Sequence, residues 1–516
     1  MEISIKRNAK TEKFNKHWQF CVGSPHAVYA LRRDWTQQLK TVHDELGIER
    51  VRFHGIFCDD MHTYHKLSDL FPIPGGRKIT EKSFRWCAAA YDNVLLAGMK
   101  PFVELSFMPK HLAAKNKKGM FFYKPNISPP KSLEGWGEYV EEFVHFLVGR
   151  YGLEEIEGWY FEVWNEPDLK MPFFAGTKND YFRMYLETAR AIKRVSNNIR
   201  VGGPSTSGSK WVKEFISFCE ENGAPLDFIT THQYAGDPLG GIDGSKEKAK
   251  ININPFAAMG KDRPETLLGA FRKMMMTERV YDTLKKDNLI NSARNVKGIT
   301  KELPLYYTEW NLCASFSAHC NDISMAAAYV VHSVLGTSDT VDGSSIWCFT
   351  DLYEELHPFP EEFHGGFGMM TQSGIKKPVF YALKLLGELP EERIVLPPAD
   401  GDATVAAFRD ESGMYIVAVL PVTEALTKKE KVIISAECDS KPGSVSVLKI
   451  SGDSCNPYEE WVKLGSPQVP TPTQVNIISE NSKPEEKELQ YNYENSELKT
   501  EILLNENEIY FIRIKY

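Results

Sequence analysis

No stretch of this sequence reaches the roughly 20 consecutive apolar residues of a bilayer-crossing helix, so no membrane partner is expected. No long run of lysine and arginine occurs and the formal net charge is -8, so the electrostatic footprint of a nucleic-acid binder is missing. Cysteine is sparse: nine residues, an odd number, with no Cys-x-x-Cys pair, which argues against a disulfide framework and against a thiolate zinc site. Cys21, Cys58, Cys219 and Cys348 lie in apolar runs and read as buried thiols. There is no His-Glu-x-x-His, no EF-hand loop and no glycine-rich phosphate loop after the first apolar run, so neither a metal nor another cofactor is expected. The opening residues, MEISIKRNAKTEKF, lack the apolar segment of a secretory leader, and reduced thiols agree with a cytoplasmic expectation. The sequon Asn126-Ile127-Ser128 then reads as an accident.

What is present is a globular composition, 42% hydrophobic and 25% charged, over 516 residues, a length too great for one core. From about residue 17 to 390 a short apolar run alternates with a longer amphipathic stretch. The strand candidates are 17–23, 49–57, 100–107, 157–166, 199–205, 226–234, 303–311 and 343–350. Helical stretches such as RRDWTQQLKTVHDEL and SLEGWGEYVEEFVHFLVGRY lie between them, and Gly47, Gly98 and Gly223 close three of these stretches. Strand-then-helix units in one unbroken series predict an α/β fold, a closed (β/α)8 barrel over 13–390, in preference to a doubly wound open sheet. After about residue 390 the pattern changes to period two, in ATVAAFRD, GMYIVAVLPV, KVIISAE, SVSVLKI and IYFIRI. Residues 391–516 therefore read as an all-β, sandwich-like accessory domain, which the short strand in 1–12, EISIK, is expected to join. The stretch 235–264 reads as a loop at the barrel mouth, 265–288 as a helix, and 465–500 as an irregular excursion.

The active site of such a barrel lies at the C-terminal ends of its strands. The polar residues there are Arg52 and His54, Glu104, Trp164-Asn165-Glu166-Pro167, His232 and Tyr234, Thr308-Glu309-Trp310-Asn311, and Trp347 with Asp351, Glu354 and Glu355 beyond it. Two carboxyl groups facing each other across a barrel mouth suit glycosidic bond cleavage: one protonates the departing oxygen while the other attacks or activates water. Glu166 and Glu309, at the ends of the fourth and seventh strand candidates, are that pair. Each residue alone has a plainer reading. An isolated strand-end glutamate is usually a loop anchor, a lone histidine usually belongs to the core, and Trp347 is either core or a sugar-stacking platform. Glu104 serves equally well as a structural partner for Arg52. The motifs Asn-Glu-Pro and Thr-Glu-Trp in these two places, taken together, are what separates the catalytic reading from the plain one.

At this point the sequence resembles glycoside hydrolase family 39, the β-xylosidases and α-L-iduronidases of clan A. The pieces that carry the resemblance are VRFHGIFCDDM, KPFVELSFMPK, FEVWNEPDL, DFITTHQY, YYTEWN, FHGGFGMM and GIKKPVFYAL, in order along the barrel, with NPYEEWVKLGSPQVPTPTQ near the C-terminus. The resemblance implies a retaining glycosidase acting on an oligosaccharide, most simply an exo-acting β-xylosidase, with Glu166 as acid/base and Glu309 as nucleophile. It implies that Asn165 bonds the sugar 2-hydroxyl, and that His54, His232, Tyr234 and Glu355 line the −1 subsite, with Tyr234 also orienting the nucleophile. Glu354 is the neighbour that competes with Glu355 for this assignment. Trp347 and Arg52 complete the expected substrate-binding set. A homo-oligomer is left open, with the accessory β domain as its contact surface. Departures matter too. After the nucleophile the family's xylosidases carry Thr-Ser-Tyr-Ser, whereas this chain has LCASFS at 312–317, so Phe316 or Ser315 stands where a tyrosine is expected. The insertion 235–275 is long. The alternatives are therefore the same chemistry on an arabinoside, a uronide or an exopolysaccharide, or a catalytically silent glycan-binding protein.

Overall fold

The computed structural model describes residues 1–71, 79–236, 266–274, 280–353, 359–422, 428–438 and 440–516. Eight parallel strands close on themselves in chain order. They are β1 (Cys21–His26), β2 (Arg50–His54), β3 (Lys100–Glu104), β4 (Tyr160–Glu162), β5 (Arg200–Thr206), β6 (Phe228–Gly236), β7 (Leu305–Cys313) and β8 (Gly343–Ile346). The barrel is sealed where Ser345 and Ile346 pair with Cys21 and Val22. This is the (β/α)8 barrel that the alternating pattern predicts. Helices Arg33–Leu46 and Val212–Asn222 both end at a glycine in the left-handed region, Gly47 at φ 69° and Gly223 at φ 56°.

The barrel interior is layered. At the N-terminal end Cys21, Phe102, Tyr160, Phe228 and Tyr306 form an apolar floor against which Phe20 packs. Phe20 stacks on Tyr306 at 4.6 Å and Phe102 on Tyr160 at 5.6 Å. Successive inward positions on a strand are two residues apart. The next layer up is therefore set by Glu104, Glu162 and Thr308, and it is polar.

A four-stranded sheet (Glu2–Ile5, Lys429–Glu437, Glu497–Asn505, Asn492–Glu494) and a seven-stranded sheet form the second unit. Ile3, Ile5, Ile416, Ile434, Ile502, Ile512 and Ile514 share a core there. The N-terminal strand Glu2–Ile5 pairs in parallel with Lys429–Glu437, and Thr11–Lys13 pairs with Glu392–Ile394. Phe408 of the larger sheet meets Phe14 at 4.9 Å and joins this unit to the barrel core.

Three expectations are corrected. The first barrel strand begins at Cys21, because His17–Gln19 turns as a 3-10 helix. The fourth strand stops at Glu162, because Trp164 and Glu166 take positive φ and leave the extended path. The stretch 465–500 is not irregular. It holds helix Pro472–Asn481, started by a Thr471–Gln474 capping box with proline in its first turn, and three strands, one of which runs on to Asn505. Within the expected helix 265–288, the described helical pieces are Leu267–Met274 and Val280–Thr283. The expected mouth loop, from 237 onward, lies outside the described residues.

Candidate active site

Glu166 sits on the loop leaving β4. Its φ is 41° and that of Trp164 is 73°, a region that L-residues occupy at a cost of about 1–3 kcal/mol each. The surroundings hold both in place. Glu166 N–H donates to Ser205 O at 2.9 Å, the Ser205 hydroxyl donates to Trp164 O at 3.0 Å, and the Trp164 indole donates to Phe173 O at 3.0 Å. The result aims the Glu166 carboxyl into the barrel mouth. Burial first, and then the charge of Asp168, push its pKa up to about 8. Asp168 is held by the Ser207 N–H and hydroxyl and by Lys210.

Glu309 lies on β7 and is approached from two sides. Arg52 Nη1 donates to its Oε1 at 2.8 Å, and the Tyr234 hydroxyl of β6 donates to its Oε2 at 3.1 Å. His54 Nε2 lies 3.4 Å from Oε1. Carboxylate oxygens of Glu166 and Glu309 and a nitrogen of His232 all lie within 4.8 Å of one another. Such a group could also hold a cation, as could His26, Cys58 and Asp60.

Arg52 is fully buried and organises the layer beneath. Besides Glu309 it reaches Glu162 through Nε at 2.6 Å, and Asn165 Oδ1 and Glu104 through Nη2, both at 2.8 Å. Burial works against its charge, but Glu162, Glu104 and Glu309 together raise its pKa. The same Arg52, with His54 at 2.6 Å, holds the buried Glu104 carboxyl below its ordinary pKa in spite of desolvation.

The residues read from the sequence are thus largely brought together, in two tiers. Glu166, Glu309, Asn165, His54 and Tyr234 converge on the mouth. Asn165 is oriented by Arg52, which leaves its Nδ2 buried with no hydrogen-bond partner among the described residues, a donor that a substrate hydroxyl would satisfy. Trp347 stands against His54, ring centroids 4.6 Å apart, and belongs to an aromatic cluster with Phe316, Tyr353 and Phe367. Arg52 and His232, read as substrate contacts, are both fully buried, and their polar atoms meet protein groups. His232 Nδ1 lies 3.0 Å from Glu166 Oε1 and its Nε2 lies 3.1 Å from Thr308 Oγ1. Glu354 and Glu355 lie outside the described residues.

The sequence reading passed over Glu162. It is a carboxylate in the middle of the apolar run GWYFEVW, on the inward face two residues after Tyr160, and a charge in that register was the available signal. Thr308 was noted only as the neighbour of Glu309.

A closed parallel barrel whose mouth holds two buried, opposed carboxyl groups in contrasting surroundings has the layout of a glycoside hydrolase. The chain belongs to the glycosyl hydrolases family 39, whose model matches residues 1–251 and 265–496. It is 37% identical to a β-xylosidase of Caldicellulosiruptor saccharolyticus over 90% of this chain and 88% of that one. It is 29% identical to a β-xylosidase of Geobacillus stearothermophilus over 99% and 95%. The crystal structure of a monomeric β-xylosidase from Caulobacter crescentus CB15 superposes with a TM-score of 0.78 at 28% identity, over 100% of this chain and 99% of that one.

Proposed function

We propose that this chain is an exo-acting retaining β-xylosidase that releases xylose from short xylo-oligosaccharides, with Glu166 as acid/base and Glu309 as nucleophile. The observation that carries the reading is the carboxyl pair, close enough that one oxygen of Glu166 and one of Glu309 lie within 4.8 Å, which favours the shorter of two spacings. Retaining pairs stand about 5–5.5 Å apart, whereas inverting pairs leave about 6.5–9.5 Å for a water. In the first step Glu309, held by Arg52 and Tyr234, attacks the anomeric carbon while protonated Glu166 gives its proton to the departing oxygen. Ester formation removes the negative charge of Glu309, which lowers the proton affinity of Glu166. Glu166 then takes a proton from water, the water attacks the anomeric carbon, and Glu309 is released with configuration retained. Asn165 Nδ2 would meet the 2-hydroxyl, with His54, Tyr234 and Trp347 around the ring. Arg52 and His232 act on the sugar through the carboxylates they hold.

The named relatives support xylose as the sugar. A cytoplasmic setting, where short oligosaccharides and not polymer would arrive, is supported by nine free cysteines, all buried. The alternative of another glycan rests on one observation: Phe316 stacks on Tyr353 at 4.8 Å, so the segment after the nucleophile presents an aromatic cluster where the family's xylosidases carry tyrosine. A uronide is disfavoured, since Arg52, the cation read for its carboxylate, is buried among Glu104, Glu162, Asn165 and Glu309. A panel of aryl glycosides decides. Cleavage of the β-xyloside ahead of the arabinoside, glucoside and uronide is the expected result. Cleavage of another sugar with the xyloside inert would overturn the substrate and leave the mechanism standing.

A further inference from the structure

Behind the carboxyl pair a second line of groups runs across the barrel from β2 to the loop after β4. Arg52 Nε donates to Glu162 Oε2 at 2.6 Å, and the Thr308 hydroxyl donates to Glu162 Oε1 at 2.7 Å. His232 Nε2 lies 3.1 Å from that same Thr308 oxygen, and His232 Nδ1 lies 3.0 Å from Glu166 Oε1. Arg52, Glu162, Thr308 and His232 are all buried, so bulk water does not rewire the line. We propose that Thr308 and Glu162 are positioning residues that lock His232 in its Nε2–H tautomer, so that its bare Nδ1 accepts the proton of Glu166 and keeps that carboxyl a ready acid.

The argument is a count of protons. A hydroxyl has one proton, and the Glu162 carboxylate, paired with Arg52, takes it from Thr308. The Thr308 oxygen can then only accept, so the proton between it and His232 belongs to Nε2. A neutral imidazole carries one N–H, and Nδ1 is therefore a lone pair. Nδ1 also faces Glu309 Oε2, at the longer distance of 3.6 Å; adding an ionised Glu166 oxygen at 3.0 Å would set a second anionic lone pair against it, whereas a protonated Glu166 makes a hydrogen bond. Burial favours the neutral imidazole and lowers the pKa of His232, although Glu309 opposes this. The tautomer of the ring is thus set by the far nitrogen's partner, a relation general to histidine. When Glu166 has given up its proton, the lone pair of Nδ1 favours its recovery from water in the second step.

The inference rests on Glu166 being the acid/base, which azide rescue of Glu166→Ala tests without reference to Thr308. Glu166 is faced by Asp168 from its own loop, Lys210 from the turn after β5, His232 from β6, Glu309 from β7, and Arg52 and His54 from β2. Thr308→Val, close in shape, replaces none of these groups and removes the hydroxyl that His232 Nε2 and Glu162 Oε1 share. Freed of its acceptor, His232 can carry its proton on Nδ1 and donate to an ionised Glu166. Profiles of kcat/KM against pH, run with aryl glycosides of poor and good leaving groups, read the consequence. In Thr308→Val the basic limb is expected to move down by about one pH unit, with a loss for poor leaving groups of roughly twofold at pH 7 that grows to about tenfold near pH 9, and little loss for good ones. Thr308→Ser is expected to restore both. An unmoved basic limb, or a loss equal for all leaving groups, would overturn the proposal, because damage to Glu309 slows every substrate alike. The wild-type enzyme gives a second readout. With ring-15N histidine, and His232 assigned by its absence from His232→Asn, Nε2 is expected protonated and Nδ1 bare. A protonated Nδ1 at neutral pH would contradict the tautomer lock.

Discussion

The floor and the mouth of the barrel are made by the same strands and differ by two residues in register. On β3, β4 and β7 the floor takes Phe102, Tyr160 and Tyr306, and two positions further along the same faces carry Glu104, Glu162 and Thr308. One layer is held by apolar area and ring stacking. The other holds Glu104, Glu162 and Glu309 around a single guanidinium, an arrangement that burial opposes and only pairing makes tolerable. The lesson is that the floor serves stability and the mouth serves chemistry, and that the boundary between them is one pleat thick.

Mutations can break this contrast. Glu309→Ala should lower kcat on an aryl β-xyloside by on the order of 10⁴-fold or more while leaving the melting temperature nearly unchanged, checked by steady-state kinetics beside thermal unfolding. Arg52→Met should lose both properties. It strands Glu162 without its counter-charge and leaves Glu104 with His54 alone, which is expected to lower stability by about 3–5 kcal/mol and to depress turnover through Glu309. Phe228→Ala on the floor should cost about 3–5 kcal/mol in denaturant unfolding, yet kcat of the folded fraction should stay within about threefold of wild type. A tenfold fall in kcat there would mean that floor and mouth are not separable. Tyr234→Phe removes one hydrogen bond to Glu309, the proposed nucleophile, and should lower kcat about tenfold, with KM little changed. The smallest effect is in pH. With its pKa pushed up to about 8, Glu166 is protonated at neutral pH, so kcat/KM should fall as pH rises through that value, and Glu166→Gln should abolish the limb.

The floor and the strands were legible in the sequence because period and turn residues are local. Eight apolar runs and the glycines at 47 and 223 needed no knowledge of partners. The failures have physical causes. A tryptophan and a glutamate with positive φ at 164 and 166 are not announced by residue type, since only neighbours such as Ser205 and Phe173 make that backbone tolerable. The helix at Pro472–Asn481 did carry a signal, Thr471-Pro-x-Gln474, inside a polar stretch read as irregular. At the site the motif residues Glu166 and Glu309 stood out, whereas the wiring did not. Glu162 meets Thr308 from another strand, and Arg52 binds Glu162 and Glu309 from a third, so none of these pairs leaves a spacing to read. Histidine and arginine at strand ends look like substrate contacts until their partners are visible.

The assignment of the two glutamates is tested most directly by azide. Glu166→Ala, given an aryl β-xyloside with a good leaving group, forms the glycosyl-enzyme on Glu309 without an acid, and azide then attacks it from the face that Glu166 would have served. The product should be the β-xylosyl azide, of retained configuration, with turnover restored as azide is added. An α-azide from this variant would contradict the account, because it would make Glu166 the nucleophile and Glu309 the acid/base.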